Sequence, residues 1–335
     1  MHTTLVSTVH HRLIQVSHSH TKLSTVHFDQ SQRSTDDGIL HLPLPSHLKF
    51  ISSPSNPFVK HCVKLRQSSS YRHLHRSALV VGTTPIREIL EFQGLRQGPS
   101  KVDCLLLLDG AEVPKGLCDS YVRILHVNSM VMRKLSGVQS SDSIETVALM
   151  RIPTSFCNME DNQRETNFRN WFPSPHRILV LDGIQDPGNV GTLLRSAMAF
   201  RWDGVFLLPG CCDPFNEKVL RAARGASFQL PIVSGKWVHL EALTTEFEMK
   251  LLAGHPESMG ESKCSSSISK KLVSCLADKP LCLILGSEGH GLSDQSRQAC
   301  ELINIPMAGG FESLNVSVAG GIFLFLLQPE NRIFI

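Results

Sequence analysis

The chain has 335 residues, of which 41% are hydrophobic and 19% charged, an ordinary globular composition with room for two domains and a sizeable core. Its ten cysteines include no Cys-x-x-Cys pair and several lie in apolar strand-like runs, which argues for reduced core thiols and against a disulfide framework. No apolar run is long enough to span a membrane, and the histidines lack metal-ligand spacing, so neither a membrane partner nor a metal is expected.

The formal charge of +3 is unevenly placed: residues 49–101 hold nine Lys or Arg against two Glu. A local excess of this kind suits a polyanion, because each neutralised phosphate releases counterions; a solvated basic face is the plainer alternative.

In chain order, residues 1–48 read as a leader. Up to Phe28 there is no Asp or Glu, Ser, Thr and His are abundant, and Arg12 and Lys22 supply positive charge. Without a continuous apolar core this is closer to an organellar transit peptide than to a secretory signal, a plain N-terminal tail being the alternative. The expected destination is the chloroplast, with the mitochondrion as alternative.

Ser53-Pro-Ser-Asn-Pro57 then opens a helix, with Asn56 as N-cap and Pro57 at its first position. Lys60 and Lys64 share one face of it, Val59, Cys62, Val63 and Arg66 another. Strands are expected at Ser77–Val81, Val102–Leu108, Tyr121–Val127 and Thr146–Ile152, with helices near Pro85–Phe92 and Ser129–Leu135. This alternation gives a small α/β domain over 49–153. Residues 154–175 are polar and aperiodic and read as a linker.

From Arg177 a second alternation begins, within a domain spanning 176–335. Strands are expected at Ile178–Leu181, Gly204–Leu208, Met249–Ala253, Leu281–Leu285 and Leu302–Ile305. Helices fit Val190–Phe200, Lys218–Ala226, Trp237–Phe247, Ser293–Ala299 and Leu314–Leu327. The strands are nearly continuous apolar runs, as in a mainly parallel sheet covered by helices on both faces. Ser258–Ser269 reads as an exposed loop.

Three segments of this half carry the chemistry. They are Leu181-Asp-Gly-Ile-Gln-Asp-Pro-Gly-Asn-Val-Gly-Thr-Leu-Leu-Arg195, Leu283-Ile-Leu-Gly-Ser-Glu-Gly-His-Gly-Leu292 and Ile305-Pro-Met-Ala-Gly-Gly-Phe-Glu-Ser-Leu-Asn-Val-Ser-Val-Ala319. Each follows a strand-like run and sets Gly or Pro beside a polar residue, which brings backbone close to a ligand at strand ends. In the first, Asn189 is placed to cap a helix with Arg195 in its second turn. The second is neither a dinucleotide fingerprint nor a P-loop, so it lacks the residues of both phosphate mechanisms and speaks against a nucleotide-dependent oxidoreductase. The third sets Ser313 and Asn315 at the opening of an apolar helix, where either residue serves equally as a cap.

In order, spacing and neighbouring residues the three segments resemble the signature motifs of the SpoU/TrmH family of RNA ribose 2′-O-methyltransferases, in the knotted SPOUT class. The resemblance covers about residues 176–328. More weakly, residues 49–153 resemble the family's L30-like RNA-binding domain, through Ser53-Pro-Ser-Asn-Pro-Phe-Val-Lys60. Val80-Val-Gly-Thr and Ser141-Asp-Ser-Ile depart from that domain's usual pattern.

The resemblance implies an α/β-knot, a deep trefoil that breaks the usual rule against threading, with S-adenosyl-L-methionine in the knot. Leu285, Gly286, Ile305, Met307 and Leu314 are then the cofactor-binding residues. Arg195 is the principal catalytic residue, surrounded by Asn189, Glu288, Ser313 and Asn315. A guanidinium stays protonated in proteins, so Arg195 suits a phosphate partner that stabilises charge on the 2′-oxygen better than a base. RNA is expected on Lys60, Lys64, Arg66 and Arg72, and the chain is expected to form a homodimer. The leading expectation is 2′-O-methylation of organellar ribosomal RNA. The alternatives are the same reaction on transfer RNA and a non-enzymatic RNA-binding assembly factor.

Overall fold

The two alternations fold into two sheets. The computed structural model describes residues 49–95, 102–113, 122–138, 144–160, 167–256, 265–309 and 312–329. The expected leader over 1–48, Arg96, Lys101, residues 141–143 of the departing turn and residues 258–264 of the Ser-rich loop lie outside them.

The first sheet comes from β1 (Phe50–Ile51), α1 (Pro57–Gln67), α2 (Ser69–His75), β2 (Ser77–Val81), α3 (Thr83–Leu95), β3 (Val102–Leu108), β4 (Arg123–Val127), α4 (Ser129–Ser136) and β5 (Thr146–Arg151). Its strand order is β1-β4-β3-β5-β2. β4 runs parallel to β1 and β3, while β5 is antiparallel to β2 and β3. α1 starts as its sequence dictates: the Asn56 side chain accepts from the Phe58 amide at 2.9 Å, and Pro57 needs no partner for an N–H it lacks. Val59, Cys62 and Leu65 face the core, and Lys60 and Lys64 face solvent.

The second sheet is built from β6 (Phe156–Asn158), β7 (Arg177–Asp182), α5 (Pro187–Ala199), β8 (Gly204–Leu207), α6 (Glu217–Ala223), α7 (Ala226–Gln229), β9 (Ile232–Ser234), α8 (Trp237–Glu246), β10 (Lys250–Gly254), β11 (Ser266–Ser267), α9 (Lys270–Leu276), β12 (Leu281–Gly286), α10 (Asp294–Ala299), β13 (Glu301–Asn304) and α11 (Val316–Leu326). The order is β11-β13-β10-β12-β7-β8-β9-β6, and every neighbouring pair is parallel. Alternate residues of β7 and β12 enter two different core clusters, one beneath α5 and α11 and one beneath α8. Burial on both faces is why these strands read as unbroken apolar runs.

From β7 the chain steps outward to β8 and β9; β10 and β12 fill the sheet on β7's other side. The order therefore reverses at the β7–β12 boundary, and in an open α/β sheet the crevice at such a point, beyond the carboxyl ends of the strands, is where ligands bind.

The stretch read as a linker departs from that expectation. β6 joins the sheet edge beside β9, and Phe168 and Phe172 are buried. Phe172 fills the space left by Gly204, where a Cβ would stand 2.3 Å from its ring. Isolated aromatics of this kind anchor a segment without giving it a period. The two sheets also share a core, in which Val80, Ile86, Ile89 and Met150 of the first meet Phe215, Leu220 and Phe228 of the second. All described residues fall in one compact unit.

Candidate functional site

β7 ends at Asp182, Gly183 turns the chain at φ +68°, and α5 begins at Pro187. Its cap is Asp186, whose side chain accepts from the Asn189 amide at 2.9 Å. The cap expected at Asn189 is thus three residues earlier, and Arg195 falls in the third turn, not the second. The correction matters because it frees the Asn189 side chain, which is buried, for a contact outside its own helix.

That contact is Asn315. Its Oδ1 caps α11, accepting from the Ser317 and Val318 amides at 2.9 and 3.3 Å. Its Nδ2 donates to Glu288 Oε1 at 2.5 Å and to Asn189 Oδ1 at 3.2 Å. One amide therefore ties together a residue from each of the three motif segments. Of the two cap candidates, Asn315 takes the role.

The second segment folds back on itself. Ser287 and Gly291 exchange backbone hydrogen bonds at 2.9 and 2.8 Å, with Gly291 at φ +67°. A Cβ on Gly286 would lie 2.3 Å from the Gly291 carbonyl oxygen, so only glycine fits there.

Beyond β10 and β12 these loops enclose a cavity of about 550 Å³. Leu285, Gly286, Ile305, Met307 and Leu314 all lie on its wall, with Glu288 and Ser313. Gly254, His255, Glu312 and Phe323 line it as well and were not singled out from the sequence. The first two follow an apolar strand as the motif loops do, which was the available signal. Phe323 sits two turns into α11, past the last motif residue. One turn before it, Gly320 packs closely against the sheet side: a Cβ there would meet the Leu193 and Leu285 side chains at 2.3 and 2.7 Å, whereas one on Gly321 would meet nothing within 4 Å.

Arg177 was also missed. Fully buried at the start of β7, it donates to the carbonyls of Leu276, Ala277, Lys279 and Leu327, tying the end of α11 to the sheet. Burial lowers its pKa to about 10, still charged at neutral pH.

Other expected residues stand apart from the cavity. Arg195 is exposed; it lies two positions past Leu193, which faces α11, and so points about 160° away round the helix. Lys60 is exposed, and the Lys64 ammonium stands 5.6 Å over the Tyr71 ring.

Arg66 and Arg72 are a correction. Both are engaged within the molecule: Arg66 pairs with Glu217 at 3.2 Å, and Arg72 is buried on Asp213 at 2.6 Å. Burial alone would raise the Asp213 pKa, but the hydrogen bond from His73 and the charge of Arg72 outweigh it and hold the carboxyl far below its usual range. Among the described residues no group of three or more His, Cys, Asp or Glu is arranged to hold a metal ion.

Residues 176–325 match the model of the SpoU rRNA Methylase family. A Synechocystis protein described as an uncharacterized tRNA/rRNA methyltransferase is 28% identical over 86% of this chain and 97% of its own length. The 23S rRNA (guanosine(2553)-2'-O)-methyltransferase of Bacillus subtilis is 26% identical over 84% of this chain and 100% of its own. Among solved structures, the AdoMet-bound rRNA methyltransferase of Sinorhizobium meliloti superposes with a TM-score of 0.65 at 24% identity, covering 85% of this chain and 98% of that one.

Proposed function

Residues 176–325 belong to the SpoU rRNA methylase family, and from that premise we propose that the chain uses S-adenosylmethionine to methylate a ribose 2′-hydroxyl of RNA, with organellar ribosomal RNA as substrate. The observation that carries this reading is the cavity, because three segments distant in sequence meet at its rim through Asn315 and all five cofactor candidates stand on its wall.

The residues present suit that cofactor. Leu285, Ile305, Met307 and Phe323 offer an apolar seat for a nucleoside base, and the glycines at 254 and 286 let the Phe323 ring and the Gly291 carbonyl pack against the backbone that walls it. Glu288 and Glu312 suit a ligand bearing positive charge. When bound, the sulfonium supplies a methyl group on a good leaving group, so no metal is required for transfer.

The chain's own part is to hold the loops, exclude water and fix the nucleotide. Arg195 binds the phosphate beside the target ribose and stabilises charge on the 2′-oxygen. Glu288 and Asn315 fix the rim, and Ser313 lines the approach. Lys60 and Lys64 steer RNA toward the site.

Arg195 points away from its own cavity, which supports a homodimer. α11 is apolar almost throughout, yet Val318 on it and Leu314 just before its cap are 52% and 37% exposed. A second copy laid over the outer faces of α5 and α11 covers them and brings Arg195 into the interface. We read the return of α11 over α5, β10 and β12, after a crossover to β13, as the trefoil knot. The first sheet is read as the L30-like RNA-binding domain, and the acid-free leader as a chloroplast address.

The test is to map 2′-O-methylation across organellar RNA from cells lacking the protein, and to restore it in vitro with labelled S-adenosylmethionine. One lost and restored ribosomal mark supports the proposal. A mark lost only from transfer RNA selects the alternative substrate. Cofactor binding without methyl transfer to any RNA would leave an assembly factor.

A further inference from the structure

Asp182 is the last residue of β7 and lies in register beside Gly286, the last residue of β12. It is buried, 8% exposed, where a carboxylate is costly unless hydrogen-bonded. Its Oδ2 accepts from the Ser293 amide at 2.8 Å and from the Ser296 hydroxyl at 2.6 Å. The Ser293 hydroxyl in turn donates to Ser296 Oγ at 3.0 Å and accepts from the Ser296 amide at 3.3 Å. One carboxylate thus fixes both serines that start α10.

Between Gly286 and Ser293 runs the loop that walls the cavity with Ser287, Glu288, Gly291 and Leu292. Its first end is held by β12 and its middle by the Ser287–Gly291 pair. Its far end is held by Asp182.

We propose that Asp182 is a positioning residue that keeps the 286–293 loop closed in its ligand-binding shape, and so sets the affinity for the cofactor without touching it. The ligand's identity rests on the proposed methyltransferase reading; the closure of the loop does not. Ordering a loop before binding raises affinity by removing that cost from the binding step. With the carboxylate gone, Ser293 and Ser296 lose their shared acceptor, the loop's far end loosens, and Glu288 is released from Asn315.

The test uses the full chain with Asp182→Ala and Ser296→Ala. Hydrogen exchange read peptide by peptide without ligand, and S-adenosylmethionine affinity read by calorimetry, are compared with the unsubstituted protein. Asp182→Ala is expected to speed exchange at least tenfold in peptides covering 287–292 while leaving β8 and β9 unchanged. It also raises the cofactor Kd and KM about tenfold, with kcat at saturating cofactor and KM for RNA within threefold. Ser296→Ala, which keeps the charge and removes the two hydrogen bonds of the Ser296 hydroxyl, to Asp182 and from Ser293, shifts the same readouts about threefold and serves if Asp182→Ala does not fold. Exchange in 287–292 unchanged in the folded variant, or a kcat loss with cofactor affinity intact, overturns the proposal. Unsubstituted protein that binds no S-adenosylmethionine, in which Asp182→Ala still loosens 287–292, sinks the methyltransferase reading and leaves the loop-holding role standing.

Discussion

The crevice beyond β7 and β12 and the basic face of α1 and α2 were both marked by sequence, and they differ in what the marks meant. In the crevice the marks were glycines and amides, whose roles follow from backbone geometry: Gly286 leaves no room for a Cβ, and Asn315 reaches two other segments from a helix cap. On the basic face the marks were charges, and a charge has no fixed role until its neighbours are known. Arg72 is closed over by Asp213, a residue 141 positions away in sequence, whereas Lys60 four residues before Lys64 on the same helix is free to meet solvent. Arg195 belongs to the second kind although it sits in a motif.

The largest test of that contrast is Arg195→Ala. If the exposed arginine stabilises charge in the transition state, single-turnover methyl transfer falls roughly 10²- to 10⁴-fold, the scale of one positioned catalytic group. The cofactor Kd measured by calorimetry stays within twofold, because the side chain points away from the cavity. Full activity would remove Arg195 from the chemistry and leave it, like Arg66, a structural cation.

Asp213→Ala tests the opposite case, a cation whose partner is buried with it. Removing the carboxylate strands the Arg72 guanidinium, which costs about 3–5 kcal/mol of stability in urea unfolding. The pH dependence has a definite sign. The folded-state pKa of Asp213 is depressed, so the pair's contribution is present above the unfolded value near 3.9 and fades as pH falls through the folded one. The difference between the parent and the variant therefore holds from neutral pH down to about pH 4 and narrows only below it. A difference that vanished already at pH 5 would mean that Arg72 and Asp213 are not paired in solution.

Gly286→Ala probes the crevice by geometry alone. The added methyl cannot share space with the Gly291 carbonyl 2.3 Å away, so the loop has to open. The cofactor Kd rises about 10- to 100-fold while kcat with RNA at saturating cofactor falls less. Gly321→Ala, on α11 with nothing within 4 Å of its Cβ position, leaves the Kd unchanged.

These pairs also explain what the sequence could reveal. The long strands of the second sheet were legible because β7 and β12 are buried on both faces, and α11 because Asn315 caps it with a local signature, whereas the start of α5 was expected three residues late, at Asn189 rather than Asp186. β1, β9 and β11 were not, since two or three residues carry no period. β6 and the buried Phe168 and Phe172 were hidden in a polar stretch by their irregular spacing. At the site, the cavity wall was legible wherever the backbone specifies it. The ion pairs Arg66–Glu217 and Arg72–Asp213 were not, because they join the two halves of the chain and have no local signature.

The smallest effect belongs to Lys60 and Lys64, and it decides whether the basic face is an RNA surface at all. Each phosphate that a lysine no longer neutralises lowers the salt slope of binding by about 0.7–0.9. Replacing both lysines with alanine therefore lowers it by about 1.5 and weakens RNA binding about 3- to 10-fold at physiological salt, with cofactor affinity unchanged. The two lysines are not equivalent. Lys64 already lies over the Tyr71 ring, an attraction it gives up in part when it turns to a phosphate, so Lys60→Ala accounts for the greater share of the weakening. Were both singles and the double to bind RNA with the parent's slope, α1 would present only a solvated face, and the RNA path would have to be sought around Arg195 instead.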